Sequence, residues 1–462
     1  MKKLFYILFF FLPIVVCAQQ NWYKSSPLDY NWKNVGNVGF SAGESDWTSL
    51  AFSPSGQTYV AYEDLGNSYK ATVMKFDGTS WVNVGAAGFS AGMADCMSLA
   101  ISPSERQPYV AYVDGGNSQK ATVMKFDGTN WVYVGSAGFS AGMVNYTSLA
   151  FNPSGQPYVA YMDNGNSNKA TVMKFDGTSW VNVGSAGFSA GIVFDTRLAF
   201  SPSGKPYVAY QDFQFYTFEA TVMMFTGASW VTLGLACFSA GDVDGISLAF
   251  GPSGQPYVAY EDEGNSNKAT VMKFNGTTWV NVGSAGFSAG EAYYTSLAFS
   301  PSGQPYVAYE DNGNSDKATV MKFNGTNWVD VGTAGFSAGK ANYTSLAFSP
   351  SDDQPSVIFQ DWTNSKTATV MKYDSIYVGI NEQKESKLSL YPNPSTNKIT
   401  LEISGETTES NLSIVNIEGQ QLIARLITEP ITQLDISTLP YGVYFVRLTG
   451  EKTVQVGKIV KN

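Results

Sequence analysis

"SLAFGPSGQPYVAYEDEGNSNKATVMKFNGTTWVNVGSAGFSAG", residues 247–290, is one copy of a unit that this chain writes seven times. Trp32, Trp81, Trp131, Trp180, Trp230, Trp279 and Trp328 fall 49 or 50 residues apart, and the text around them barely changes. A period of this size points to units that stack on one another, as in a propeller or a solenoid. Each copy holds four β-like runs: SLAF from Ser247, PYVAYED from Pro256, KATVMKF from Lys268 and WVNVG from Trp279. All are rich in Val, Tyr, Phe, Ala or Met and bounded by turn residues. The usual first turn, SPSGQP, supplies Pro and Gly for a bend. The Asn-Gly or Asp-Gly of FNGT and FDGT points to a primed two-residue hairpin. No run reads as a helix. Four short antiparallel strands per copy predict an all-β fold, a seven-bladed β-propeller.

Strand counting predicts how the ring closes. The SLAF-type and ATVMKF-type runs each occur seven times, and the last, ATVMKYD at 368–374, has no WVNVG run after it. An unpaired one, WKNVG, stands at 32–36. Placed as the outer strand of blade seven, it joins the two ends by strand pairing and leaves no open seam. A solenoid would need polar caps instead. Stacked blades bury both strand faces, which fits runs that are nearly continuous in apolar or small residues. The Trp series reads as packing.

Outside the repeats, Lys2 and Lys3 precede an apolar stretch from Leu4 to Val16, and small residues precede Gln19. Residues 1–18 therefore read as a secretion signal cleaved after Ala18. Residues 19–31 form a lead-in, 32–374 the propeller, 375–387 a polar linker and 388–462 a second module. Val16 before Cys17 is too large for a lipoprotein signal. No other stretch reads as membrane-spanning. The formal charge is −10, and His is absent. Arg106 and Arg197 are the only arginines of the repeats. Nucleic acid is therefore a poor partner, and a Ser-His-Asp set is ruled out. Cys96 and Cys237 fall at different repeat positions in blades that should not be adjacent, and are expected to be free and buried.

The second module reads LSLYPNPSTNKITLEI, NLSIVNIEGQQLI, ITQLDISTLPYGVYFVRLTGE and KTVQVGKIVKN, a small β-sandwich. It resembles the C-terminal type A sorting domain of type IX secretion system cargo of Bacteroidota. The resemblance rests on Tyr391, Pro392, Asn393 and Pro394, on Asn416 with Gly419, on Leu439 with Tyr441, Gly442 and Tyr444, and on Lys458-Ile459-Val460-Lys461. It implies export through that machinery to the outer surface or beyond, with the domain removed. A carbohydrate-binding sandwich is the alternative. It would need exposed aromatics, and Tyr441, Tyr444 and Phe445 read as core.

Copies can also be compared with one another. The largest differences lie just before each first strand, in segments read as links from one outer strand to the next inner strand. They supply Asp46, Trp47, Asp95, Tyr146, Phe194, Asp195, Asp244, Glu291, Tyr293, Tyr294 and Tyr343. These would crowd one mouth of the central channel, beside the EDxGNSxK loops. Aromatic faces with acidic acceptors suit sugar or protein recognition. Blade four departs furthest, with QDFQFYTFEAT at 211–221 placing Phe213, Phe215 and Tyr216 in a polar loop position.

No catalytic set emerges. FDGTSW at 76–81 is similar to the Asp-box of sialidases, but the spacing departs by one residue and the preceding Ser or Thr is missing. Asp244 and Glu291 begin adjacent blades and could make a carboxylate pair. The acidic loops, such as EDEGNS at 261–266, make calcium the candidate cation, although Asp262, Gly264 and Asn265 read first as turn formers, by Asx bonding and permissive φ. No other cofactor is expected. The chain reads as a secreted monomeric module recognising a glycan or a protein, with a polysaccharide-active enzyme or a structural surface protein as alternatives.

Overall fold

In the computed structural model the described residues are 29–214, 216–350, 352–376, 388–403, 410–449 and 454–462. The signal segment 1–18 lies outside them, as do the lead-in up to residue 28 and the linker from 377. Contacts divide the chain into Met1–Ile376 and Tyr377–Asn462.

The first unit is a ring of seven four-stranded antiparallel sheets. Blade five shows the pattern: Val243–Phe250, Pro256–Asp262, Lys268–Phe274 and Trp279–Asn281, hydrogen-bonded in that order from the centre outward. Blade seven takes Ala341–Phe348, Pro355–Asp361 and Thr367–Ile376 from one end of the repeats and Asp29–Asn34 from the other. Trp32 lies opposite Tyr373 and Lys33 opposite Lys372, so the ring closes as strand counting predicts.

Both faces of the second strands are buried, as at every residue of Pro108–Asp114. The Trp series packs blades together. Trp81 is 8% exposed, stacks on Phe40 with centroids 4.5 Å apart, and donates its indole N–H to the Val35 carbonyl at 2.7 Å. Trp180 donates likewise to the Val134 carbonyl, also at 2.7 Å. Each bond crosses to the preceding blade and leaves no orphaned indole donor.

Local details differ from the sequence reading. Phe76 pairs with Trp81 across a four-residue loop, not a primed two-residue turn. Asp77 Oδ1 accepts from the N–H groups of Thr79 and Ser80, both at 2.8 Å, and only Gly78 takes positive φ. The side chain supplies the turn that backbone twist would otherwise have to supply. Gly264 likewise does not have positive φ; Ser266 and Asn267 do, at 62° and 57°. A Cβ at Gly264 would lie 2.8 Å from the Ala240 carbonyl carbon, so close approach excludes a side chain there.

The second unit is a sandwich. Leu388–Tyr391, Lys398–Ile403 and Ile431–Asp435 form one sheet. Gln421–Ile427, Ser410–Val415, Gly442–Thr449 and Val454–Lys461 form the other. Tyr444 and Leu439 join its core, but Tyr441 and Phe445 do not, being 82% and 37% exposed. Tyr441 precedes its strand, and Phe445 points away from the core because Tyr444 and Val446 point into it. Asn393 ties the last strand down, donating to the Lys458 carbonyl and accepting from the Val460 N–H. Asn416 and Gly419, with φ 81°, build the turn before Gln421.

Candidate functional site

The variable segments do not link strands; they open the innermost ones, as Ser45–Phe52 shows. Each of these strands carries a β-bulge, between Asp46 and Ser49 in blade one and at the matching place in the other six. One residue per bulge has positive φ: Trp47, Cys96, Tyr146, Asp195, Gly245, Tyr294 and Tyr343, between 43° and 54°. For residues other than Gly this conformation costs about 1–3 kcal/mol each. The bulge re-aims the side chain, and all seven residues line the central channel, a cavity of about 280 Å³.

Two belts of hydrogen bonds hold the ring. Thr147 Oγ1 donates to the Cys96 carbonyl at 2.5 Å and Thr344 Oγ1 to the Tyr294 carbonyl at 2.6 Å, each from one blade to the one before. Below them, the N–H of Leu149 donates to Ser98 Oγ at 3.0 Å and that of Leu346 to Ser296 Oγ at 2.9 Å. In blade four Arg197 stands where the other copies have Ser. Its guanidinium pairs with the buried Asp195 at 2.8 Å inside the channel. Burial raises the Asp195 carboxyl against the lowering effect of Arg197.

The structure thus brings Trp47, Tyr146, Asp195, Asp244, Tyr294 and Tyr343 to one channel. Trp47 lies 5.3 Å from Tyr343, which lies 4.8 Å from Tyr294. Tyr293 lines a second hollow beside it, and its hydroxyl donates to Glu291. Asp46 accepts from the Gln360 amide, and burial raises its pKa. Asp95 accepts from the N–H of Cys96 at 2.8 Å. Phe194 packs edge-on against Tyr146 at 6.2 Å and against Phe218 at 5.4 Å. Phe213 and Tyr216 do not line the channel. They sit on a hairpin lengthened to Pro206–Gln214 and Thr217–Phe225, with Tyr216 91% exposed. Phe215 lies outside the described residues.

The sequence reading missed several groups. Arg197 and Gln211 line the channel. Glu63 and Glu261 stand at one position of the second strand, and each is pushed up to about 8, by burial first and then by neighbouring carboxylates. Trp362 is 45% exposed, with Lys366 Nζ 4.8 Å and Lys340 Nζ 5.5 Å from its ring centre. Arg197 and Trp362 were visible as departures between copies outside the segments compared, whereas Gln211 lay in the blade-four stretch and Glu63 and Glu261 in the acidic loops read for calcium. Of the cysteines, Cys96 is buried and Cys237 only half-buried; both are free.

The acidic loops spend their carboxylates on the turn. Asp64 Oδ2 accepts from Thr72 Oγ1 and from the Asn67 amide, each at 2.8 Å, and Asp262 Oδ2 accepts from the Asn265 amide at 2.8 Å. Among the described residues no three His, Cys, Asp or Glu side chains are placed to hold a metal ion.

Residues 389–462 match the family model of the secretion system C-terminal sorting domain. The second unit is an export tag. The chain is therefore a propeller sent through the type IX route to the cell surface or the extracellular space. Among the described residues no helix is long and apolar enough to cross a membrane. No curated protein matches the chain. Of solved structures, PorZ, a surface component of the type IX secretion system of Porphyromonas gingivalis, is 14% identical with a TM-score of 0.45 over 92% of this chain. The alignment spans 61% of the PorZ chain, less than two thirds of it. An ulvan lyase, a polysaccharide lyase, is 12% identical at a TM-score of 0.48, over 75% of this chain and 96% of its own. The lectin of Aleuria aurantia, in complex with a fucosylated GlcNAc, is 18% identical at 0.43, over 66% and 100%.

Proposed function

We propose that the propeller is a glycan-recognition module whose ligand seats on the aromatic mouth of the central channel. The observation that carries this reading is the bulge ring. Trp47, Tyr146, Tyr294 and Tyr343 are held at a strained backbone position around one cavity. Strain at a repeated, channel-lining position motivates a functional reading. Flat rings meet apolar sugar faces, while Ser hydroxyls, Gln211, Asp195 and Asp244 offer bonds to sugar hydroxyls. A concave, mixed-polarity cavity suits a small unit of a polymer better than a flat protein surface. The test is saturable binding of the full chain to a panel of soluble and insoluble polysaccharides. Trp47→Ala and Tyr343→Ala are expected to abolish binding with the fold retained. Absence of saturable binding across the panel would overturn the reading in favour of a protein ligand or a structural role.

One observation favours a second reading, a polysaccharide-active enzyme. Glu261, pushed up to about 8 by burial and then by Asp244, Glu291 and Glu310, keeps its proton at neutral pH. A general acid needs such a state. New reducing ends or unsaturated ends from a bound polymer, lost in Glu261→Gln, would support it. Binding without product would remove it.

A further inference from the structure

Beside the channel mouth, blades five to seven enclose a hollow of about 400 Å³. Its walls carry Asp244, Glu310 and Asp316, together with the protonated Glu261, and a single cation, Lys340. Glu310 is 1% exposed. Its Oε1 accepts from Lys340 Nζ at 2.9 Å, while its Oε2 is buried without a partner. Asn342 Oδ1, on the same wall, is also buried and unpartnered. Lys340 Nζ also lies 3.6 Å from Asp316 and makes no hydrogen bond to either of these oxygens. A buried acceptor left unmade costs about 1–3 kcal/mol, and more when it is charged.

These two oxygens therefore lack a donor, in a hollow where Asp244, Glu310 and Asp316 outnumber its one cation. A hydroxyl would supply the donor without the charge. Among the described residues no three His, Cys, Asp or Glu side chains cluster for a metal ion. A protonated amine supplies both, and Lys340 shows that an ammonium fits against Glu310. The rings of Tyr293 and Tyr294 form the adjoining wall.

We propose that this hollow is a subsite for a protonated amino sugar, so that the propeller recognises a cationic, de-N-acetylated glycan. The assignment rests on the glycan-recognition reading and specifies its ligand class. Titration calorimetry of the full chain with a glucosamine hexamer and with its N-acetylated counterpart tests it. The free-amine hexamer is expected to bind at least about tenfold more tightly, as one charge-assisted hydrogen bond allows. Glu310→Gln and Asp316→Asn, tested separately, should each shrink that preference, whereas Trp47→Ala should weaken both hexamers alike. Equal affinities in the unaltered chain, a preference unchanged in both carboxylate variants, or failure to bind the free-amine hexamer would overturn the subsite. Trp47-dependent binding of neutral glycans would leave the recognition reading standing in each of those cases.

Discussion

Replacing Trp32 by alanine tests whether the N-terminal strand holds the ring shut. Trp32 is 6% exposed, stacks on Phe336 with centroids 3.8 Å apart and planes 8° apart, and donates to the Val331 carbonyl at 2.7 Å. Emptying such a site costs about 3–5 kcal/mol. The orphaned Val331 carbonyl pushes the value to the upper end, since an unmet buried acceptor costs about 1–3 kcal/mol. Trp328 is the matched control in an uninterrupted copy. It is 7% exposed, stacked on Phe287 at 4.5 Å and 12°, and bonded to the Val282 carbonyl at 2.6 Å. If closure is complete, Trp32→Ala and Trp328→Ala should agree within about 1 kcal/mol. Urea unfolding followed by tryptophan emission reads the propeller alone, because every tryptophan precedes residue 377. A full loss for Trp328→Ala with an unchanged midpoint for Trp32→Ala would refute closure by this strand.

Three more outcomes follow from named groups. Glu63 and Glu261 keep protons near pH 8 in the fold but lose them near 4.5 when unfolded, so stability should fall as pH rises between those values and level off above. The slope is about 1.4 kcal/mol per pH unit per group, and urea midpoints in Glu261→Gln should show a flatter profile; an unchanged profile would count against the burial of its charge. Burial pushes the Cys96 thiol up to about 12, so iodoacetamide at pH 8 should leave it unmodified until denaturant is added; rapid labelling, read by peptide mass spectrometry, would contradict its placement. Arg197→Met should destabilise the chain at neutral pH by less than the about 3–5 kcal/mol of a fully buried pair, because Arg197 keeps some solvent contact. Acid should relieve that loss by protonating Asp195, and the double change Asp195→Asn with Arg197→Ser should recover most of it in the same urea assay.

The fold was legible because repetition removes ambiguity. Four strand runs per copy, seven copies and a displaced WKNVG left few arrangements, and the core followed from runs such as PYVAYED. Turn geometry was less legible. The loop from Asp77 to Ser80 depends on a side-chain acceptor that Asn-Gly or Asp-Gly statistics do not weigh, and Gly264 is dictated by a contact from the neighbouring Ala240. Comparison of copies found Trp47, Tyr146, Tyr294 and Tyr343 but took their segments for linkers, since a bulge leaves no mark on the hydrophobic pattern. Glu63, Glu261 and Glu310 were read only as oxygens of acidic loops, because their burial in the second strands is not written in the loop pattern. Tyr441 and Phe445 were misplaced because aromatic content alone does not say which face of a strand a ring takes.

The strand shared between the two ends has a consequence for manufacture. Asp29–Asn34 pairs with Thr367–Ile376, so the ring cannot be completed until the last repeat has been synthesised. The export tag begins just downstream of that repeat, at 389. A chain cut short anywhere within the blades lacks both its seal and its address. Chain order alone thus withholds the address from any chain truncated within the blades.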